Sequence, residues 1–128
     1  MKQLTLPDLD LAYRDEGDGP PLVLLHGWPE RSAIWERLIP LLTPRYRVIA
    51  PPRGDGCAHA CRTAADHGAR LLVLGTADPV LRVAWQETLG DVFTRIACEQ
   101  ARGAGHFVPW ERPDDSAARI TAFFDGLV

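Results

Sequence analysis

Apolar positions along the chain switch period several times, and each switch marks an element. Leu9, Leu11 and Tyr13 alternate with polar or small residues, the period-two pattern of a half-buried strand. Residues 15–21, DEGDGPP, read as a turn-rich loop. The run LVLLH (22–26) is continuous and apolar up to its last residue, which predicts a central parallel strand covered on both faces. Between Ser32 and Thr43, Trp35, Leu38, Ile39 and Leu42 recur at helical spacing, and Pro40 predicts that this helix bends or stops early. YRVIA (46–50) reads as a short strand ended by Pro51 and Pro52.

The second half repeats the alternation. Residues 57–68, CAHACRTAADHG, put Cys57, Ala60, Cys61 and Ala64 on one small-residue face and predict a helix stopped by Gly68. RLLVLG (70–75) reads as a buried strand. Leu81, Trp85 and Leu89 lie four apart in a helical segment 79–89 closed by Gly90, and TRIACEQ (94–100) reads as a strand. Pro113 opens a final helix with Asp114 and Asp115 in its first turn, where the helix dipole favours negative charge. Its apolar face is Ala117, Ile120 and Phe124, and Gly126 ends it. Strands alternating with helices predict an α/β fold with a mostly parallel sheet and helices on both faces.

Composition narrows the class. At 128 residues the chain suits a single domain, 1–128, able to bury roughly two-thirds of its unfolded surface. Fourteen basic against seventeen acidic residues leave no basic footprint, so no nucleic acid and no membrane are expected as partners. No apolar run approaches the roughly 20 residues of a membrane span. The start, MKQLTLPDLDLAY, has no apolar signal region, and three cysteines cannot all pair within one chain. The expectation is a soluble, cytoplasmic protein.

Two stretches then carry a resemblance. Residues 11–51 with RGDG (53–56) resemble the start of an α/β-hydrolase, closest to the haloacetate dehalogenase and epoxide hydrolase branch. LLVLGTADPV (71–80) and GAGHFVPWERPDD (103–115) resemble the end of the same family, in the right order. The family's middle, with its nucleophile elbow and usual cap, has no counterpart; only 57–68 stand in its place. The fold implied is a compact, shortened α/β-hydrolase-like sheet. Its expected strand order is 46–50, 22–26, 70–75, 94–100, with the N-terminal strands at one edge and 57–68 as a right-handed crossover.

The resemblance also implies roles. His26 and Gly27 end the strand whose loop supplies an oxyanion-hole amide, with Trp28 N–H as the donor because Pro29 has none. Asp78 matches the triad acid and His106 the general base, in the family's chain order, and both follow strands running the same way. Read without the family, Gly27-Trp28-Pro29 is a tight turn, Asp78-Pro79 an ordinary helix start with Asp78 as N-cap, and His106 a loop residue.

A nucleophile is missing from the pattern. An elbow needs small residues two before and two after the attacking side chain. Ser32 is flanked there by Glu30 and Ile34, Ser116 by Asp114 and Ala118, and Cys57, Cys61 and Asp55 fail likewise. Cys57, His59, Cys61 and His67 match no common zinc spacing, so neither metal nor cofactor is expected. Three readings stay open. One is a weakened or inactive hydrolase of ester, epoxide or carbon–halogen bonds with a small-molecule pocket. Another is an active hydrolase with an unusual nucleophile or a His106-activated water. The third is a non-catalytic module that pairs through exposed strands, as a homodimer would.

Overall fold

Lys2–Leu6 (β1) and Leu9–Glu16 (β2) pair antiparallel, Lys2 opposite Tyr13 and Leu6 opposite Leu9. The computed structural model to which they belong describes residues 1–6, 9–26, 31–51, 70–81, 83–85 and 96–126. The chain divides into two compact units, Met1–Ala64 and Ala65–Val128.

In the first unit, Pro21–Val23 (β3) runs parallel to Arg47–Ala50 (β4), and β4 pairs antiparallel with the end of β2, in the order β1-β2-β4-β3. The expected neighbours 46–50 and 22–26, and the N-terminal strands at the edge, are therefore present. The ladder of β3 is shorter than the apolar run, although Leu24 N–H still donates to the Ile49 carbonyl at 2.9 Å. Its burial alternates: Leu22, Leu24 and His26 are buried, while Val23 is 52% exposed. Continuous hydrophobicity predicted cover on both faces; in the structure only the Leu22–Leu24–His26 side is fully covered.

The expected helix 32–43 is broken. Ser32–Trp35 form one 3₁₀ turn, Glu36–Leu38 a further turn, and only Ile39–Leu42 (α1) is α-helical. Pro40 explains this, since it has no N–H for the Glu36 carbonyl and its ring would crowd that group. At the second position of a new helix neither problem arises. Leu38, Ile39, Leu42 and Val48 are the largest fully buried side chains among the described residues, and all four belong to this unit's core.

The second unit holds a parallel pair, Arg70–Gly75 (β5) and Ile96–Ala101 (β6), in register from Arg70 opposite Ile96 to Gly75 opposite Ala101. β5 coincides with the apolar run 70–75, and β6 covers the described residues of the expected strand 94–100. The expected pairing of 22–26 with 70–75 would lie between the two units. After β6 come a short helix Val108–Glu111 (α2), which the patterning did not predict, and Pro113–Asp125 (α3), which it did. Ala101, Ala104 and Val108 form a buried cluster against Val73. Ala117 of α3's apolar face is buried, and Ile120 and Phe124 are half-buried. Of the segment 79–89, Val83–Trp85 form a 3₁₀ turn, and its remainder from Gln86 on lies outside the described residues, as does 57–68. Among the described residues no helix is long and apolar enough to cross a membrane.

Candidate active site

The chemistry gathers at the carboxyl ends of β5 and β6, inside the second unit. Beyond Gly75 the chain turns, and three backbone bonds set the turn. Thr76 N–H donates to the Ala101 carbonyl at 3.1 Å, Ala77 N–H to Ala104 at 2.9 Å, and Asp78 N–H to Gly75 at 3.2 Å. From the other side, Gly103 N–H donates to Thr76 Oγ1 at 2.8 Å. Gly103 takes a left-handed φ of 70°, which a residue with a Cβ rarely adopts. The loops after the two strands are thus tied together, and they carry Asp78 and His106.

His106 Nδ1 lies 2.8 Å from Asp78 Oδ2. The Asp78 side chain is 2% exposed and that of His106 25%. The other carboxylate oxygen, Oδ1, accepts Val80 N–H at 2.7 Å and Leu81 N–H at 3.0 Å. The two amide contacts and the His106 contact thus use different oxygens of one side chain, while Pro79–Leu81 form a bend rather than the expected helix start.

Burial pushes the Asp78 carboxyl up, but the Leu81 and Val80 amides and the His106 ring pull it further down, so it sits below the usual carboxylate range. An ionised carboxylate only accepts, so Nδ1 of the imidazole carries the proton it donates. Neutral His106 then has its lone pair on Nε2, the atom a general base uses. The ring stands edge-on to Phe107, with centroids 5.1 Å apart.

The other expected site residues are placed less completely. His26 is buried in the first unit just beyond β3. Gly27 and Trp28 lie outside the described residues, as do Asp55, Cys57, His59, Cys61 and His67. Among the described residues no cluster of three or more His, Cys, Asp or Glu could hold a metal ion. Ser32 starts the 3₁₀ turn, and Ser116 is buried within α3, so neither sits at a strand-to-helix turn. One residue near the pair went unassigned: Glu111, whose carboxylate reaches back to the His106 loop. Its signal was its place in the same GAGHFVPWERP stretch, at the end of a helix too short to show a period.

No family model matches the chain. Over 95 residues it is 33% identical to a pimeloyl-acyl-carrier-protein methyl ester esterase of Vibrio vulnificus, a match covering 72% of this chain and 36% of that protein. Over 57 residues it is 46% identical to a soluble epoxide hydrolase of a Corynebacterium species, covering 44% of this chain and 20% of that protein. The chain spans about a third or less of the length of the curated relatives it matches. Among solved structures, an esterase from Thermogutta terrifontis matches with a TM-score of 0.79 at 12% identity, over 98% of this chain and 99% of that one. That likeness is one of fold.

Proposed function

We propose that this chain, which belongs to the α/β-hydrolase superfamily, is a weak hydrolase in which His106, steered by Asp78, activates water in place of an elbow nucleophile. The observation that carries the reading is the 2.8 Å contact between Asp78 Oδ2 and His106 Nδ1. An ionised, nearly inaccessible carboxylate holds the imidazole in the tautomer with Nε2 unprotonated. Nε2 takes a proton from water as the hydroxide oxygen bonds to the electrophilic carbon. With an ester, the tetrahedral adduct then expels the alcohol, which receives that proton from the imidazolium.

The electrophile follows from the relatives. Their names refer to a methyl ester and an epoxide, and the resemblance adds the carbon–halogen bond. Activated esters are the simplest member of this class. Without a nucleophile most of a triad's acceleration is forfeited, and binding with oxyanion stabilisation leaves roughly 10³-fold over water. A general base contributes about 10²-fold or more.

The test is release of p-nitrophenol from p-nitrophenyl acetate by the wild-type chain and by His106→Ala. The expected result is turnover above buffer that disappears in the variant. Equal rates in the two proteins would remove His106 from the chemistry, and turnover abolished instead by substituting Cys57, Cys61 or Asp55 would reveal a conventional nucleophile.

A further inference from the structure

We infer that Glu111 is a positioning residue that clamps the loop carrying His106; its effect on turnover rests on the hydrolytic reading above, its effect on the imidazole does not. Glu111 Oε2 accepts the Gly105 N–H at 2.7 Å, and Oε1 accepts the Phe107 N–H at 3.2 Å. These are the N–H groups of the residues before and after His106. One carboxylate thus holds the 106–107 peptide, which directly follows the His106 Cα, and the 104–105 peptide one step ahead of it, and so restrains the direction in which the His106 Cα–Cβ bond leaves the chain. The ring's approach to Asp78 depends on that direction.

The local structure is built to bring the carboxylate there. Trp110 and Glu111 N–H both donate to the Phe107 carbonyl at 2.9 Å, and Arg112 N–H donates to Val108 at 2.8 Å, closing α2 into a single turn. Val108, in the buried cluster with Ala101 and Ala104, anchors that turn beside the end of β6. Glu111 is thereby folded back over the loop it follows. Gly105 leaves it room, since a Cβ at that position would stand 2.9 Å from Glu111 Oε1. Solvent reaches Glu111, but hydrogen bonds to an ionised acceptor are the stronger kind.

A purely structural role for Glu111 would hold α2 without affecting the imidazole, so the experiment reads the ring directly. Glu111→Ala removes both acceptors, whereas Glu111→Gln keeps the size and one acceptor oxygen. The readouts are the NMR resonance of the His106 Nδ1 proton, hydrogen exchange of the Gly105 and Phe107 amides, and kcat against KM on p-nitrophenyl acetate. In Glu111→Ala the two amides should exchange about tenfold faster or more, given the strength of bonds to a charged acceptor. The Nδ1 resonance should broaden or vanish and kcat should fall with KM little changed. Glu111→Gln should lie between Ala and wild type.

Protection of the β5 and β6 amides reports whether the unit is folded; if Glu111→Ala loses it, Glu111→Gln decides. An unaltered Nδ1 resonance with unaltered exchange in a folded variant overturns the inference. A wild-type chain with no hydrolysis would sink the hydrolytic reading alone, because the resonance and exchange still decide the role of Glu111.

Discussion

Gly75, the last residue of β5, and Gly105, just before His106, meet backbone to backbone. A Cβ on Gly75 would stand 2.1 Å from the Gly105 carbonyl oxygen and 2.4 Å from that of Ala104. No side chain fits there, so the end of one strand and the loop after the other approach as closely as two backbones can. Asp78 follows Gly75 by three residues and His106 follows Gly105 directly, and their side chains meet at 2.8 Å.

Gly75→Ala should therefore push the 104–106 loop away from β5. Overpacking of this kind costs about 1–3 kcal/mol. The expected outcome is a lower urea midpoint for the unit containing β5 and β6, together with loss of the His106 Nδ1 resonance. A variant as stable as wild type with that resonance intact would show that the loop yields without disturbing the pair.

Asp78 sets the His106 tautomer, and an amide in its place should reverse it. In Asp78→Asn the amide oxygen can still accept from Val80 and Leu81, so the turn should survive. The NH₂ group would then face Nδ1 and donate to it, moving the imidazole proton to Nε2 and removing the base. Ester hydrolysis should fall by about 10²-fold, toward the buffer rate, with β5 and β6 amide protection retained. Unchanged turnover in a folded Asp78→Asn chain would exclude the steering role.

Much of this was legible in the chain, for identifiable reasons. β5 announces itself because a buried parallel strand needs a continuous apolar run with turn residues at its ends, and β6 follows as the next strand-like segment, TRIACEQ. Asp78 and His106 each follow such a strand, and a parallel sheet brings like ends together. Parts of the pattern were less direct. Helical spacing from Trp35 to Leu42 records which residues are buried, not whether one helix carries them, and Pro40 splits the segment. LVLLH is apolar beyond what its alternating burial requires. α2 is a single turn stabilised by Val108 and by bonds around Phe107, too short for any periodicity to register.

Core packing in the first unit supplies a magnitude. Leu38 is fully buried at the turn that enters α1. Truncation of such a leucine to alanine costs about 2–5 kcal/mol, depending on how far the site collapses. Leu38→Ala should lower the urea midpoint of the unit containing β1–β4 accordingly. A change of under about 0.5 kcal/mol, typical of surface positions, would show that Leu38 is not part of a packed core.

Acid should act on both units through two carboxylates. Asp15 is held far below the ordinary carboxylate range, first by its hydrogen bonds to Arg47 and then by Lys2. Arg47 approaches it in a fork, Nε to Oδ1 at 2.7 Å and Nη2 to Oδ2 at 2.7 Å, while Lys2 Nζ reaches Oδ2 at 2.6 Å. Asp78 is also lowered, its two amide bonds and His106 outweighing burial. A folded-state pKa below the unfolded value, about 3.9 for aspartate, contributes stability that is complete well above that value. The contribution is lost as pH falls from there through the folded pKa. Urea midpoints measured from neutral pH downward should thus hold steady and then decline below about pH 4. Asp15→Asn should flatten the decline in the first unit and Asp78→Asn in the second, each variant starting from a lower midpoint at neutral pH. A decline just as steep in the double variant would place the acid sensitivity on other groups.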